Sequence, residues 1–213
     1  MTGRGFKSTI PSIKGLAPKD NIKAWVDRKA FIHNLGHATA AYYGYFKHPG
    51  STYLYEVLED KNVLRFTREV MLQSADILLK MYADDFTPGE LSMHIDDLLT
   101  RFRNRALKDT LFRVGQDIPR KLGPDDRFMG IIRLAIPLKM PYAKILEAMS
   151  YAFFFKAADE NGNRPEQDIV FEKILFRGLD YTLRKVCEID LVYDHELVEE
   201  LKKFINANMV PGS

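Results

Sequence analysis

The chain has 213 residues, 46% hydrophobic and 28% charged, a composition typical of a globular protein long enough to bury a sizeable core. Its 31 basic and 29 acidic residues give a formal net charge of +2, which offers no reason to expect nucleic acid or an anionic membrane as a partner. A single cysteine, Cys187, excludes an internal disulfide, and no apolar run is long enough to span a bilayer. With no apolar signal segment after Met1, these features predict a reducing, cytoplasmic location.

Helix signals follow one another along the chain. The first 17 residues are rich in Gly, Ser, Lys and Pro, which predicts an extended lead-in over 1–17 and a helical domain over 18–213. Residues 18–21 offer cap chemistry for a first long helix, and Thr87 with Glu90 forms a capping-box signal for a later one. The first helix is predicted to follow these caps and to run to about residue 46, and a short amphipathic stretch lies at about 54–58. Further helices are predicted at about residues 63–82, 88–102, 126–138, 142–156, 167–186 and 195–206.

The sequence contains no convincing series of alternating strands and no repeat, so it predicts one all-α, multihelical domain. A protein that binds a dinucleotide is expected to carry Gly-x-Gly-x-x-Gly between a strand and a helix. The most similar residues, Gly3-Arg4-Gly5, have no strand before them and no third glycine at the right place. The sequence therefore offers no visible place for a dinucleotide.

The most informative pattern is Lys29-x4-Asn34-x2-His37. In an α-helix, roughly 100° per residue places these three side chains within an arc of about 140°. An amine with a lowered pKa accepts a proton from an alcohol, while an amide and an imidazole hold the remaining oxygen. Such a set suits the reversible oxidation of a secondary alcohol. Gly36 leaves room for a ligand or for backbone to approach closely.

The same spacing has a structural alternative. Lys, Asn and His are common residues on helix surfaces. A surface lysine, a capping asparagine and partly buried histidines would give the pattern without any chemistry. From spacing alone, this alternative is favoured.

A second group of polar residues lies between Arg101 and Arg127. Its density of arginine with interleaved Asp and Asn suggests planar, bidentate anchoring of an anion or a polyol. One alternative is a structural network of arginines that ties a loop to neighbouring carboxylates. Another is nucleic-acid binding, which the acidic residues within the stretch and the balanced net charge disfavour.

Together, these segments resemble the long-chain mannitol dehydrogenase family, and most closely its members that act on mannitol 1-phosphate. The resemblance rests on Lys29-x4-Asn34-x2-His37 and on two further motifs. These are Arg-Phe-x-Asn-x2-Leu-x-Asp at 101–109 and Arg-Val-Gly-x-Asp-x2-Arg-Lys-Leu-x3-Asp-Arg at 113–127. Ile-Pro-x-Ile-Lys-Gly-Leu at 10–16 is similar to the family's entry into its C-terminal domain.

The resemblance implies a two-domain arrangement, in which an N-terminal Rossmann domain binds NAD and a helical C-terminal domain supplies the catalytic side chains. The sugar alcohol or sugar phosphate would lie between the two. By the same resemblance, Lys29 is the general base in oxidation and the general acid in reduction, and Asn34 and His37 form the oxyanion hole. The implied substrate-binding residues are Arg113, Arg120 and Lys121.

The resemblance covers the C-terminal domain and not the Rossmann domain. We therefore expect the catalytic domain of an NAD-dependent polyol dehydrogenase that interconverts mannitol 1-phosphate and fructose 6-phosphate, or a related pair, and has no turnover alone. It would be an excised domain, the partner of a separate Rossmann chain, or an inactive remnant. The alternative is a non-catalytic helical module that binds a sugar phosphate or a protein partner. An exposed apolar face would favour self-association.

Overall fold

The computed structural model describes residues 20–209, and the predicted lead-in at 1–17 lies outside them. The all-α prediction is confirmed, because β-type pairing within the described residues is confined to one isolated bridge between Tyr53 and Thr110. Short 3₁₀ turns occur at Arg105–Leu107 and Tyr151–Phe154. The α-helices are α1 (Ile22–Arg28), α2 (Leu35–Lys47), α3 (Leu54–Val57), α4 (Lys61–Met81), α5 (Pro88–Phe102), α6 (Leu111–Gly115), α7 (Ile118–Lys121), α8 (Met129–Leu138), α9 (Ala143–Ser150), α10 (Glu166–Leu175), α11 (Leu179–Val186) and α12 (His195–Met209).

The first long helix exists as predicted, but it is not a uniform α-helix. Asn21 is its N-cap, and the Asn21 side-chain oxygen accepts a hydrogen bond from the Ala24 N–H at 3.3 Å. A π-helical segment, Lys29–Asn34, joins α1 to α2 without a break. The Leu35 N–H donates to the Ala30 carbonyl, five residues back, which is the hydrogen bond of a π turn. The prediction of regular α-helical geometry is therefore wrong over this segment.

Helix α4 lies at the centre of the core and packs against α2, α5, α8 and α9. Its buried residues Val63, Val70 and Ile77 recur every two helical turns, as expected of an amphipathic helix. Helix α2 approaches α4 closely because Gly36 has no side chain, and a Cβ at this position would overlap the Met71 side chain. Gly36 thus permits helix packing, and the expectation that it leaves room for a ligand is wrong.

Local signals explain two helix boundaries. At the start of α5 the predicted capping box is confirmed: the Glu90 N–H donates to the Thr87 hydroxyl at 3.3 Å, and the Thr87 N–H donates to the Glu90 carboxylate at 3.0 Å. The single helix predicted at 167–186 is instead two helices, α10 and α11. Between them Gly178 has a φ of 109°, a left-handed conformation that interrupts an α-helix.

The arginine-rich segment between α5 and α8 folds into short turns that the sequence did not predict, including α6 and α7. It lies against α2, where the fully buried Tyr42 donates its hydroxyl to the Gly115 carbonyl at 2.9 Å. A Cβ on Gly115 would overlap the Phe155 ring, so α6 also packs closely against Phe155, which follows the 3₁₀ turn Tyr151–Phe154. These contacts place the arginine-rich segment next to the helix of Lys29, Asn34 and His37.

Candidate active site

The π segment determines how Lys29, Asn34 and His37 lie relative to one another. Lys29 and Asn34 are its first and last residues, and His37 lies in the first turn of α2. Residues five apart span one hydrogen-bonded π turn, as residues four apart span one α turn. Asn34 and His37 are three apart, which makes them neighbours on an α-helix. The three side chains therefore leave one side of the continuous helix, closer together than the arc of about 140° that an α-helix would give.

The side-chain polar groups of Lys29 and Asn34 are uncommitted, meaning that they have no hydrogen-bond partner in the described chain. Lys29 is exposed and Asn34 is half-buried. Neither the Lys29 amine nor the Asn34 side-chain amide forms a hydrogen bond or an ion pair with another residue of the described chain, 20–209. Both groups are therefore available to a ligand.

His37 is a neutral imidazole at ordinary pH. Its side chain is 21% exposed and stacks on Phe102, with ring centroids 4.6 Å apart and ring planes inclined by 18°. Burial, with a further contribution from the nearby His33 and Arg113, lowers the pKa of His37 from 6.5 to about 3. A neutral imidazole carries one N–H donor and one acceptor nitrogen.

One ring nitrogen of His37 has unused hydrogen-bonding capacity. Its Nε2 lies 3.3 Å from Oδ2 of Asp109, but the pair lacks hydrogen-bond geometry, so Nε2 is a buried atom without a hydrogen-bond partner among residues 20–209. The distance alone would suggest an ion pair, which the lowered pKa of His37 excludes near neutral pH. Asp109 pairs instead with the guanidinium of Arg113. A buried polar atom without a partner is costly.

Two of the predicted substrate-binding residues, Arg113 and Arg120, are partly exposed and partly paired. Arg113 is 57% exposed at its side chain and lies beside the site, because its partner Asp109 adjoins His37. The Arg120 side chain is 55% exposed and bridges two carboxylates, Asp117 and, at 2.9 Å, Asp126. Each guanidinium has five N–H donors, so pairing leaves donors that an anion or a polyol can use.

Lys121 occupies a different environment. It is buried, and its Nζ donates to the carbonyls of Val114, at 2.8 Å, and Gln116. These carbonyls lie at the C-terminal end of α6, where a cation is favoured. Burial lowers the pKa of Lys121 to about 8. Two of its three N–H groups thus have backbone acceptors, and one remains.

Arg127 and Asp126 connect the two segments, and sequence reasoning did not include them among the site residues. Arg127 is buried; its Nε donates to Oδ1 of Asp126 at 2.7 Å, and its Nη1 donates to the Asn34 carbonyl at 3.2 Å. Because Asp126 also accepts from Arg120, a series of charged hydrogen bonds runs from Arg120 to the backbone of Asn34. Asp126 and Arg127 both belong to the motif at 113–127. The contact between Arg127 and Asn34, however, joins residues 93 positions apart, and no local sequence pattern signals it.

A groove of about 680 Å³ is lined by Tyr45 and by residues 49–53, 110–112 and 156–161. None of Lys29, Asn34 or His37 lines it. We place the site at these three side chains because they present an amine, an amide and an imidazole nitrogen without hydrogen-bond partners in the described chain.

Two other kinds of feature are absent from residues 20–209. No group of three or more His, Cys, Asp or Glu side chains is placed to hold a metal ion. No helix in this range has both the length and the apolar character that a membrane span requires.

The described residues form a multihelical domain that presents an amine, an amide and an imidazole on one side of a helix. The chain belongs to the mannitol dehydrogenase C-terminal domain family, whose model matches residues 21–204. The predicted family resemblance is therefore confirmed.

Curated relatives named mannitol-1-phosphate 5-dehydrogenase come from Buchnera aphidicola. The protein from subsp. Acyrthosiphon pisum (strain Tuc7) is 29% identical over 184 residues, and the one from subsp. Schizaphis graminum (strain Sg) is 28% identical over 185 residues. These alignments cover 86% and 87% of this chain and 46% of each relative. The chain thus spans about half the length of the curated relatives it matches.

Two solved structures share the fold. Pseudomonas fluorescens mannitol 2-dehydrogenase, in a ternary complex with NAD and D-mannitol, superposes with a TM-score of 0.60 at 18% identity, over 89% of this chain and 39% of that one. A D-sorbitol dehydrogenase in substrate-free form gives a TM-score of 0.59 at 17% identity, over 90% of this chain and 42% of that one. At such identities the likeness shows the fold alone.

Proposed function

We propose that the chain is the substrate-binding and catalytic domain of an NAD-dependent polyol dehydrogenase that interconverts mannitol 1-phosphate and fructose 6-phosphate, or a related sugar alcohol and ketose. The main observation in its favour is that an uncommitted amine, amide and imidazole nitrogen leave one side of one helix. Family membership supports the reaction class, and the name of the curated relatives supports the phosphosugar.

The proposed roles follow from the chemistry of the three side chains. In oxidation, the Lys29 amine accepts the hydroxyl proton as a hydride leaves the carbon; in reduction it returns that proton to the oxygen. Asn34 donates an amide N–H to the oxygen as negative charge develops there. His37 remains uncharged at neutral pH and donates its single N–H to the same oxygen.

Arg113, Arg120 and Lys121 are proposed to bind the rest of the substrate. Arg113 adjoins His37 through Asp109, and Arg120 is linked through Asp126 and Arg127 to Asn34. Guanidinium groups bind phosphates and vicinal hydroxyls through paired N–H donors. Lys121 would contribute its remaining N–H.

The reaction also requires a hydride acceptor. Residues 20–209 contain no strand followed by a glycine-rich turn and a helix, so they do not fit a dinucleotide site. We infer that NAD is bound mainly by a Rossmann domain, in cis or in trans, and that it supplies the hydride acceptor. The mannitol 2-dehydrogenase structure, which contains NAD and D-mannitol together, supports this cofactor.

A partner domain would cover the exposed apolar residues near the site. Ile22 and Val26, 63% and 58% exposed, lie on the same continuous helix as Lys29, and Met93 on α5 is 68% exposed. Exposed apolar surface of this kind marks interaction sites. We propose that the nucleotide-binding domain covers this face and that the polypeptide self-associates without it. Sedimentation velocity should show oligomers that the added domain dissociates, and a monomer at all concentrations would contradict self-association.

A reducing, cytoplasmic location is also proposed. Cys187 is free and buried, and burial raises the pKa of its thiol to about 12. A protein with this single inert thiol needs no oxidising compartment.

The 213-residue polypeptide alone is expected to show no NADH oxidation with fructose 6-phosphate. Adding the nucleotide-binding domain of a related dehydrogenase should produce turnover, because the two halves of the site are then present together. Turnover by the polypeptide alone would contradict the proposed need for a second domain. If the folded mixture stayed inactive while fructose 6-phosphate still bound, the alternative of a non-catalytic, sugar-phosphate-binding module would replace the proposed enzyme.

A further inference from the structure

Two buried side chains from other parts of the fold hold the backbone of the π segment. Ser74 of α4 donates its hydroxyl to the Phe31 carbonyl at 2.6 Å, and Arg127 donates Nη1 to the Asn34 carbonyl at 3.2 Å. Ser74 is fully buried and Arg127 is 9% exposed. We propose that Ser74 and Arg127 are positioning residues that keep the π segment from relaxing into an α-helix and thereby keep Lys29 and Asn34 on one side.

A physical reason for two such contacts is that a π turn is not the preferred backbone geometry. π-helices are rare and occur mostly as single turns, frequently at functional sites. An unfavourable backbone conformation persists only where the surrounding structure determines it. Relaxation to an α-helix would place Lys29 and Asn34 about 140° apart. It would also displace the Phe31 and Asn34 carbonyls from Ser74 and Arg127, whose buried donors need acceptors.

Arg127 is itself fixed in place. Its Nε donates to Asp126, and Asp126 also accepts from Arg120 at 2.9 Å. A guanidinium reaches a carboxylate and a carbonyl at the same time because its donors point in several directions within one plane. Arg127 is also one of the charges that lower the pKa of His37, so it influences the site through charge as well as through geometry. Replacement by lysine keeps the charge and removes the planar fork.

The first test compares Ser74→Ala with Ser150→Ala in the 213-residue polypeptide. Ser150 is an equally buried serine whose hydroxyl donates to a backbone carbonyl, that of Glu147, at 2.6 Å. Loss of one buried hydrogen bond destabilises the segment that the bond holds. Amide hydrogen exchange over residues 31–38 is therefore expected to accelerate about tenfold or more in Ser74→Ala, and not in Ser150→Ala.

The second test compares Arg127→Lys with Arg133→Lys, and it stands if Ser74→Ala does not fold. Arg133 also donates to a backbone carbonyl, that of Glu188, at 2.9 Å. Exchange over 31–38 should accelerate in Arg127→Lys alone, although its charge is unchanged. Exchange over 31–38 that matched the wild type in the folded variants would overturn the proposal.

A kinetic test of the alignment of Lys29 and Asn34 rests on the proposed function and uses the polypeptide together with a nucleotide-binding domain. Misalignment of the catalytic groups should lower kcat about 10- to 100-fold in Ser74→Ala and Arg127→Lys, with KM for fructose 6-phosphate changed much less. Both control variants should keep wild-type kinetics. Faster exchange with an unchanged kcat would overturn the alignment role. A wild-type mixture without turnover would refute the proposed function, while hydrogen exchange would still decide whether Ser74 and Arg127 hold the π segment.

Discussion

Two neighbouring regions of the fold differ in how their polar side chains are paired. One is the helix that carries Lys29, Asn34 and His37, and the other is the arginine-rich segment that lies against it. Along the helix the backbone is held by buried contacts, while the Lys29 amine and the Asn34 amide stay uncommitted. In the arginine-rich segment most arginines are already paired with carboxylates, as Arg120 is with Asp126. A fixed backbone with free side chains suits chemistry on a ligand, whereas paired charges suit positioning.

The two regions also differ in charge state. Burial alone would raise the pKa of Asp126, but its hydrogen bonds with Arg127 hold that pKa below its ordinary value. Burial lowers the pKa of His37 to about 3, with smaller contributions from Arg113, Arg127 and Lys121. Asp126 therefore remains ionised near neutral pH, and the cations of the arginine-rich segment help to keep His37 neutral.

Removing the uncommitted amine should have the largest effect. With a nucleotide-binding domain supplied, Lys29→Ala is expected to lower kcat by about 10²- to 10⁴-fold, because proton transfer loses its acceptor. Cofactor binding and stability should not change, since Lys29 is exposed. The matched control is Lys47→Ala, at another exposed lysine on the same continuous helix, which should keep full activity. Activity that survived in Lys29→Ala would show that Lys29 is not the base.

Removing a paired cation should instead affect stability. Lys121→Met is expected to lower the free energy of unfolding by about 2–4 kcal/mol, because the carbonyls of Val114 and Gln116 lose a buried donor. Urea denaturation measures this change, with the exposed Lys173→Met as the control. A loss no larger than in the control would contradict a structural role for Lys121.

His37 should make the free energy of unfolding of the protein depend on pH. Its pKa is about 3 in the folded protein and near 6.5 in the unfolded chain, so the unfolded state binds the proton more readily. The resulting stabilisation is complete above pH 6.5 and is lost, by about 1.4 kcal/mol per pH unit, as the pH falls from 6.5 toward 3. His37→Gln should flatten the dependence of unfolding free energy on pH between 6.5 and 4.5. An unchanged slope would show that His37 is not held neutral.

Replacing Arg120 should change stability little and should act mainly on substrate binding. Because its ion pairs are exposed, Arg120→Gln is expected to change the free energy of unfolding by less than about 1 kcal/mol. With the nucleotide-binding domain supplied, KM for fructose 6-phosphate should rise about tenfold, with kcat nearly unchanged. Arg105→Gln, at another exposed arginine paired with a carboxylate, is the control. Equal changes in KM for both variants would remove Arg120 from the substrate-binding residues.

Local signals predicted much of the fold, and contacts between distant residues explain what they missed. The helix caps at Asn21 and Thr87 depend on a few adjacent residues, and apolar periodicity predicted α4. The π segment has no such signal, because its two side-chain contacts join residues 43 and 93 positions apart. The role of Gly36 depends likewise on Met71 of another helix.

The candidate site shows the same difference between local sequence signals and contacts of distant residues. The resemblance named Lys29, Asn34 and His37 from their spacing, but the arc calculated for a regular α-helix was too wide because the helix is not regular. Arg127 was visible only as part of a motif, and its buried position under Asn34 required the fold. Spacing therefore named the candidate residues, whereas the contacts of Ser74 and Arg127 with their backbone are visible only in the fold.

We propose that the π segment directs Lys29, Asn34 and His37 at one oxygen atom. The most direct measurement is a crystal structure of the chain with its nucleotide-binding domain and mannitol 1-phosphate. We predict that Nζ of Lys29, Nδ2 of Asn34 and one ring nitrogen of His37 lie within about 3.2 Å of the same substrate hydroxyl oxygen. A regular α-helix through 29–34, with Asn34 turned away from that oxygen, would refute the proposed alignment.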